Sequence, residues 1–173
     1  ACEYFDVEKD VDIYMGTFSK SLGSIGGFIS SKKNIAEYIR HKASAFIFTA
    51  ALPPASVAGV IEGLNIIIDE SKRRKRLCEN TAFIKRSLFE MGIQVNNNQV
   101  PIVPIQIGDE AVTLYMNRLL FDDGLFAGVA VSPVVPPLKA MIRTSYTCGH
   151  TKEDLKSIAT SFNKNLKKLG VLS

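Results

Sequence analysis

The stretch TFSKSLGSIGG at residues 17–27 decides how the fold of this chain is interpreted. It sets one lysine, Lys20, among hydroxyl residues and glycines, directly after the largely apolar run 11–16. An amine in water is protonated and unreactive, but burial and close approach of the backbone lower its pKa and free it for nucleophilic attack. The stretch therefore predicts a reactive lysine on a turn between two strands, 11–16 and 27–30.

The remainder of the chain alternates between helical and strand-like patterns. Apolar residues recur at helical spacing in several segments, and one long helix or two joined helices end at the glycine stop of Gly92. Thr151 and Asp154 have the spacing of a cap for the last helix. The predicted helices cover 33–42, 55–91, about 110–123 and the segment after Thr151. The predicted strands, besides the two around Lys20, are 46–48, 92–95, 102–107, 125–131 and 141–147.

This order of elements predicts an α/β fold. From Gly92 onward the pattern is strand, strand, helix, strand, strand, helix, which suits a small α/β (α+β) domain with helices on one face of a mostly antiparallel sheet. We expect three regions: the end of a larger domain at 1–54, a connecting helix region at 55–91, and the small domain at 92–173.

Composition excludes several classes of protein. A hydrophobic content of 46% with 22% charged residues is typical of a globular protein, and no apolar run reaches the length of a membrane span, so a cytoplasmic location is expected. The three cysteines lack metal-site spacing, which predicts no metal. The basic run Lys72–Arg76 could bind nucleic acid or the phosphates of an acyl carrier. It contains no aromatic residues, so a solvated helix face is the preferred interpretation and no nucleic-acid partner is expected.

Several motifs carry a family resemblance. The Lys20 stretch resembles the lysine motif of fold-type I pyridoxal-phosphate (PLP) enzymes, in particular the α-oxoamine synthases. Further matches follow in the family's order and cover most of the chain. They are Phe46–Pro54, Pro133–Pro136, Ile142–Ser145 and His150-Thr151.

The resemblance implies a role for five residues. Lys20 would bind PLP and act as general base and acid, and the hydroxyls of Thr17 and Ser19 would contact the phosphate. Thr49 lies in a segment that reaches the partner's phosphate across a homodimer interface in similar enzymes. Arg143 would bind the carboxylate of an amino acid, and on the predicted strand it shares a face with Met141 and Ser145.

The resemblance also implies an activity, the decarboxylating condensation of serine, glycine or alanine with an acyl-CoA to give an α-oxoamine. The sequence is most similar to serine palmitoyltransferase-like members, and Pro133–Pro136 also resembles glycine C-acetyltransferase. The alternatives are 8-amino-7-oxononanoate synthase activity, an aminotransferase on the same scaffold, or a regulatory or scaffolding subunit. Only nineteen residues precede Lys20, so we expect a C-terminal portion of a longer enzyme that is inactive alone.

Overall fold

The computed structural model describes residues 1–172, which form two compact units. The first unit comprises 1–70 and the second begins at Ser71, and each is described by itself. The boundary lies inside the predicted connecting region 55–91, which consists of two helices rather than one. The division into the regions 1–54, 55–91 and 92–173 stays a prediction about the longer protein.

The first unit is built around two antiparallel strands. Their register runs from Ile13 opposite Ser31 to Thr17 opposite Gly27, which confirms the two strands predicted around Lys20. A short helix and one 3₁₀ turn precede them, and three helices follow. The elements are α1 (Cys2–Phe5), the 3₁₀ turn Glu8–Asp10, β1 (Ile13–Thr17), β2 (Gly27–Ser31), α2 (Lys33–Lys42), α3 (Ser44–Ile47) and α4 (Pro54–Asp69).

The strand predicted at 46–48 is wrong, because α3 covers most of this run. Backbone hydrogen bonds of 3.0 Å from Phe46 to the Ala43 carbonyl and from Phe48 to the Ser44 carbonyl close a helical turn here. A short apolar run has no period by which a strand can be distinguished from a helix. The side-chain pattern alone therefore could not decide the type of this element.

The second unit contains a three-stranded antiparallel sheet. Its elements are α5 (Ser71–Glu90), β3 (Ile102–Gly108), α6 (Glu110–Asp122), β4 (Gly128–Ala130), β5 (Ala140–Ser145) and α7 (Lys152–Lys168). The strand order is β3-β5-β4, so the last strand in sequence lies in the centre. The sheet thereby brings Arg143, on β5, between the two edge strands.

One face of this sheet carries the core. On β3 and β5 the buried side chains alternate with more exposed ones, as a sheet covered on one side requires. Helices α5, α6 and α7 supply the rest of the core, which confirms the predicted antiparallel sheet with helices on one face. The fully buried members include Ile84, Leu88, Val103, Ile105, Met116, Leu120, Ile142, Phe162 and Leu166.

Hydrogen bonds at the helix ends fix where the helices of this unit begin and end. Thr151 and Asp154 form the predicted capping box, with bonds of 2.8 Å and 3.1 Å between each side chain and the other's backbone N–H. After α6, the N–H groups of Gly124 and Leu125 donate to the Phe121 and Leu120 carbonyls at 2.9 Å and 2.8 Å. Gly124 has a φ of 83°, a conformation that favours glycine and ends the helix with a reversal of the chain.

The strand predicted at 92–95 does not form, and the strand predicted at 125–131 is reduced to β4. Residues 93–100 run as an irregular segment in which Ile93 and Val95 still pack on the core. The Lys85 ammonium donates to the side-chain oxygens of Asn96 and Asn98 at 3.1 Å and 2.9 Å. These bonds hold the polar segment without a ladder of backbone pairs.

A change at the centre of the core tests this packing. Ile142 has no exposed surface, and Ile142→Ala leaves a cavity, so we expect a loss of about 2–5 kcal/mol in the free energy of unfolding. Leu114→Ala on α6 is the matched control, because Leu114 is 54% exposed. Urea unfolding followed by circular dichroism measures both, and equal losses would contradict the assignment of Ile142 to the core.

A polar cluster centred on Asp123 joins the end of α6 to α7. The Asp123 carboxylate accepts hydrogen bonds from Ser161 Oγ at 2.5 Å, from Asn165 Nδ2 at 2.8 Å and from Lys164 Nζ at 2.5 Å. These hydrogen bonds lower the pKa of Asp123 from 3.8 to about 2, and the bond from Lys164 contributes most to the shift. The cluster favours the ionised carboxylate in the folded state.

This shift predicts a pH dependence of stability. Because the pKa of Asp123 is lowered in the folded state, the ionised carboxylate stabilises the fold at pH values above 3.8, its ordinary pKa. This stabilisation is lost as the pH falls through about 2. Asp123→Asn should therefore lower the melting temperature at pH 7, and the difference from the unmodified chain should shrink between pH 4 and pH 2. Asp122→Asn, which removes only an exposed ion pair with Arg118, is the control. A difference that stayed constant down to pH 2 would contradict the assignment.

Candidate functional site

The loop 18–26 between β1 and β2 holds Lys20 at an exposed position. Phe18 is buried and stacks on Phe28, with the ring centroids 5.8 Å apart. The Phe18 N–H donates to the Gly26 carbonyl at 2.9 Å, and the Ser24 N–H donates to the Phe18 carbonyl at 2.8 Å. One buried aromatic residue thus anchors the loop and leaves Lys20 at its outer end.

Thr17 is the centre of the hydrogen bonds in this loop. Its Oγ1 accepts from the Ser19 N–H at 3.3 Å, lies 2.8 Å from Ser19 Oγ and lies 3.3 Å from the Gly26 carbonyl oxygen. The one Thr17 hydroxyl hydrogen can serve the Gly26 carbonyl oxygen or Ser19 Oγ; in the first case Ser19 donates to Thr17, and in the second the Ser19 hydroxyl hydrogen can point away from the loop. A ligand beside Lys20 can therefore accept from Ser19 only when Thr17 donates to Ser19 and not to Gly26.

The glycine pair Gly26-Gly27 is required by close packing. A Cβ on Gly26, whose φ is 86°, would lie 2.5 Å from Leu52 Cδ2. A Cβ on Gly27 would lie 2.5 Å from the Gly16 carbonyl oxygen. The positive φ of Gly26 and the backbone oxygen beside Gly27 both disfavour a side chain, so the pair permits the close approach of the backbone here.

A cavity lies against the two-stranded sheet that β1 and β2 form, called the ribbon below. Its volume is about 630 Å³, and Thr17 and the glycine pair contribute to its wall. Most of its other lining is apolar, from Met15, Phe28, Ile29, Ile39 and Phe46, with Arg40 as the charged member. Thr17 is thus shared between the Lys20 loop and a cavity of the size that small molecules occupy.

Thr49 lies just after α3 and is exposed. Its hydroxyl donates to the Ala45 carbonyl, one turn earlier in the chain. This local bond uses the hydroxyl hydrogen, so Thr49 has to turn before it can donate to a ligand. Thr17, Ser19 and Lys20 are brought together in one loop, and Thr49 is held by a separate local contact.

Arg143 occupies the open face of the sheet in the second unit. The side chain is exposed, and Pro104 and Gly128 stand opposite it on the two neighbouring strands. Met141 and Ser145 share its face, as the alternation on β5 predicted. Within residues 1–172 no ion pair to Arg143 is found. The guanidinium is therefore available to an external carboxylate.

The sequence did not predict the residues that hold the turn before the last helix. Asn80 donates to the carbonyl oxygens of Thr147 and His150 at 3.0 Å and 3.1 Å, and the Thr147 N–H donates to His150 Nδ1 at 3.1 Å. These bonds place His150 in the turn before the last helix. Burial raises the pKa of Tyr146 to about 12, so the phenol stays protonated at neutral pH.

Comparison with known proteins gives one consistent family. The model for "Aminotransferase class I and II" matches residues 1–162. The chain is 37% identical over 172 residues to 8-amino-7-oxononanoate synthase of Thermoanaerobacter pseudethanolicus, covering 99% of the chain and 44% of that relative. It is 40% identical over 159 residues to serine palmitoyltransferase of Bacteriovorax stolpii, covering 92% of the chain and 38% of that relative.

Solved structures agree with these relatives. A serine palmitoyltransferase described with its PLP internal aldimine has a TM-score of 0.94 at 29% identity, over 99% of this chain and 44% of that one. Sphingomonas wittichii serine palmitoyltransferase gives the same TM-score, 0.94, also at 29% identity, over 99% of this chain and 44% of that one. The predicted fold class is thereby confirmed.

The chain spans 38–44% of the length of these curated relatives. The family model nevertheless covers nearly the whole of the chain, from its first residue to residue 162. The relatives include both serine palmitoyltransferases and 8-amino-7-oxononanoate synthases. The chain therefore belongs to the aminotransferase class I and II family and, within it, to the α-oxoamine synthases that its sequence resembles.

Proposed function

We propose that the protein containing this chain is a PLP-dependent enzyme that condenses an amino acid with an acyl-CoA and releases coenzyme A and carbon dioxide. The observation that carries the proposal is the Lys20 loop, in which an exposed amine stands beside two hydroxyls 2.8 Å apart. The similarity to serine palmitoyltransferases and 8-amino-7-oxononanoate synthases supports the same class of reaction.

The residues of the loop fit PLP. Ser19 would donate to a phosphate oxygen in the arrangement in which Thr17 donates to Ser19 Oγ, and their shared hydrogen bond would then orient the Ser19 hydroxyl. Lys20 would hold the cofactor through its Nζ atom. When bound, PLP supplies the electron sink for the charge that develops at the α-carbon of the substrate.

Lys20 has a second task after the amino acid enters. The amine released from the cofactor would take the α-proton of the substrate as a general base and return a proton later as an acid. The loop suits both steps, because Phe18 anchors its base while Lys20 stays exposed at its outer end. Positioning by the backbone thus leaves the lysine side chain free to move.

Arg143 would orient the amino acid. Its guanidinium can grip a carboxylate with two parallel hydrogen bonds, and it meets no internal carboxylate within residues 1–172. A substrate held in this way has its α-carbon bonds in a fixed direction, which favours loss of the α-proton and then of the carboxylate.

The proposal extends to the type of activity, the location and the oligomeric state of the protein. We favour serine palmitoyltransferase-like activity in a cytoplasmic homodimer, in which Thr49 of one chain serves the site of the other. The portion described is proposed to be inactive alone. 8-Amino-7-oxononanoate synthase activity is the nearest alternative, because relatives with that name match at similar identity. Glycine C-acetyltransferase, an aminotransferase and a regulatory subunit remain the further alternatives.

Product analysis tests the proposed reaction. The complete protein is given glycine, alanine or serine together with a short or a long acyl-CoA, and the products are identified by mass spectrometry. We expect an α-oxoamine with release of carbon dioxide. A keto acid formed without consumption of thioester would indicate an aminotransferase, and no product from any pair would indicate a regulatory subunit.

Replacement of the lysine tests the site itself. Lys20→Ala should abolish condensation, by at least about a thousandfold, because both covalent and proton-transfer steps lose their amine. The visible absorption band of bound PLP should also change in this variant. Lys33→Ala is the matched control, since Lys33 is 89% exposed and makes only a loose surface pair with Glu37. Full activity of Lys20→Ala would contradict the assignment.

A further inference from the structure

We propose that Gly128 is a specificity-determining position, because it keeps the flank of Arg143 open and uncharged for the substrate carboxylate. The inference rests on the proposed function, in which Arg143 binds the amino acid. Gly128 acts through Arg143 and is not itself expected to contact a reacting atom. The support comes from the strand register, the backbone and the charges on one face of the sheet.

Strand pairing places Gly128 directly beside Arg143. Gly128 on β4 is the register partner of Arg143 on β5, and Pro104 on β3 is the partner on the other side. A Cβ on Gly128 would lie 3.9 Å from the Arg143 Cβ. Any side chain at position 128 would therefore lie along the stem of Arg143.

The backbone does not require glycine at this position. The φ of Gly128 lies outside the left-handed region, and the nearest atom to an added Cβ is the Arg143 carbonyl oxygen at 3.5 Å, an ordinary contact. Gly26 and Gly27 differ in this respect, since their Cβ atoms would clash. The missing side chain at Gly128 thus has its main effect on the space beside the guanidinium.

The absence of negative charge on this face of the described strands also supports the proposal. The face that Arg143 shares contains no acidic residue in the three described strands. Its other members are Ile102, Pro104, Gln106, Gly128, Ala130, Met141 and Ser145. An internal carboxylate beside Arg143 would form a pair with the guanidinium and compete with the substrate. The open, neutral flank thus preserves the full charge of Arg143 for the incoming carboxylate.

Two substitutions of nearly equal size separate charge from bulk. Gly128→Asp places a carboxylate beside Arg143, whereas Gly128→Asn places a neutral side chain of the same shape there. In the complete protein we expect Gly128→Asp to raise KM for the amino acid about tenfold, and to change kcat and KM for the acyl-CoA much less. Gly128→Asn, which fills the same space without the charge, should raise KM for the amino acid clearly less than Gly128→Asp does.

A control for position comes from the same strand. Ala130 lies on the same face and pairs with Met141 instead of Arg143. Ala130→Asp should therefore raise KM for the amino acid less than Gly128→Asp does. Equal effects of the Asp and Asn changes at position 128, equal effects at positions 128 and 130, or no effect at all would each overturn the proposal.

A titration tests the contact independently of activity. In the complete protein, labelled with ¹³C at aspartate carboxyl carbons, the carboxyl introduced by Gly128→Asp should have a pKa below the ordinary value of about 3.9. Adding Arg143→Gln should raise that pKa. A pKa that is the same with and without Arg143 would overturn the inference. Lack of condensation by the unmodified protein, with the pKa shift present, would instead contradict the proposed function alone.

Discussion

The pairing of β1 with β2 is the constraint on which the Lys20 loop depends. The register ends with Thr17 opposite Gly27, so the nine residues between them must turn back within the width of one strand pair. Phe18 fills the base of that turn, and the Thr17 hydroxyl replaces the ladder where backbone pairing stops. A side chain on Gly27 would separate the strands at the Gly16 carbonyl. The position of Lys20 is therefore set by the backbone on both sides of it.

In the second unit, one cationic side chain, Arg143, lies on an exposed sheet surface. Its core is confined to the helix-covered face of β3, β4 and β5, so the opposite face is left to residues that need not pack. Arg143 lies in the central strand, where neighbours on both sides fix its stem. A rigid strand is a better support for a bidentate contact than a loop would be.

Local signals predicted most of the fold and the two strands around the Lys20 loop. Thr151 with Asp154 is a short-range feature, and it caps the last helix as the sequence indicated. The strand prediction at 46–48 is wrong because this apolar run has no period that distinguishes a strand from a helix. The strand prediction at 92–95 is wrong because its apolar residues pack on the core without strand pairing. Asp123 could not have been found, since its partners lie 38 to 42 residues away. The flank of Arg143 likewise appears only when the strand register is known.

The ribbon of β1 and β2 has a practical consequence for handling this chain. Within residues 1–172 this sheet has two strands, so each strand has one unpaired edge. Nearby apolar side chains are uncovered as well, with Met15 77% and Phe48 87% exposed. Open edges beside apolar surface are templates for strand-to-strand aggregation. We therefore expect that covering the open edges of this ribbon lowers the tendency of the chain to aggregate.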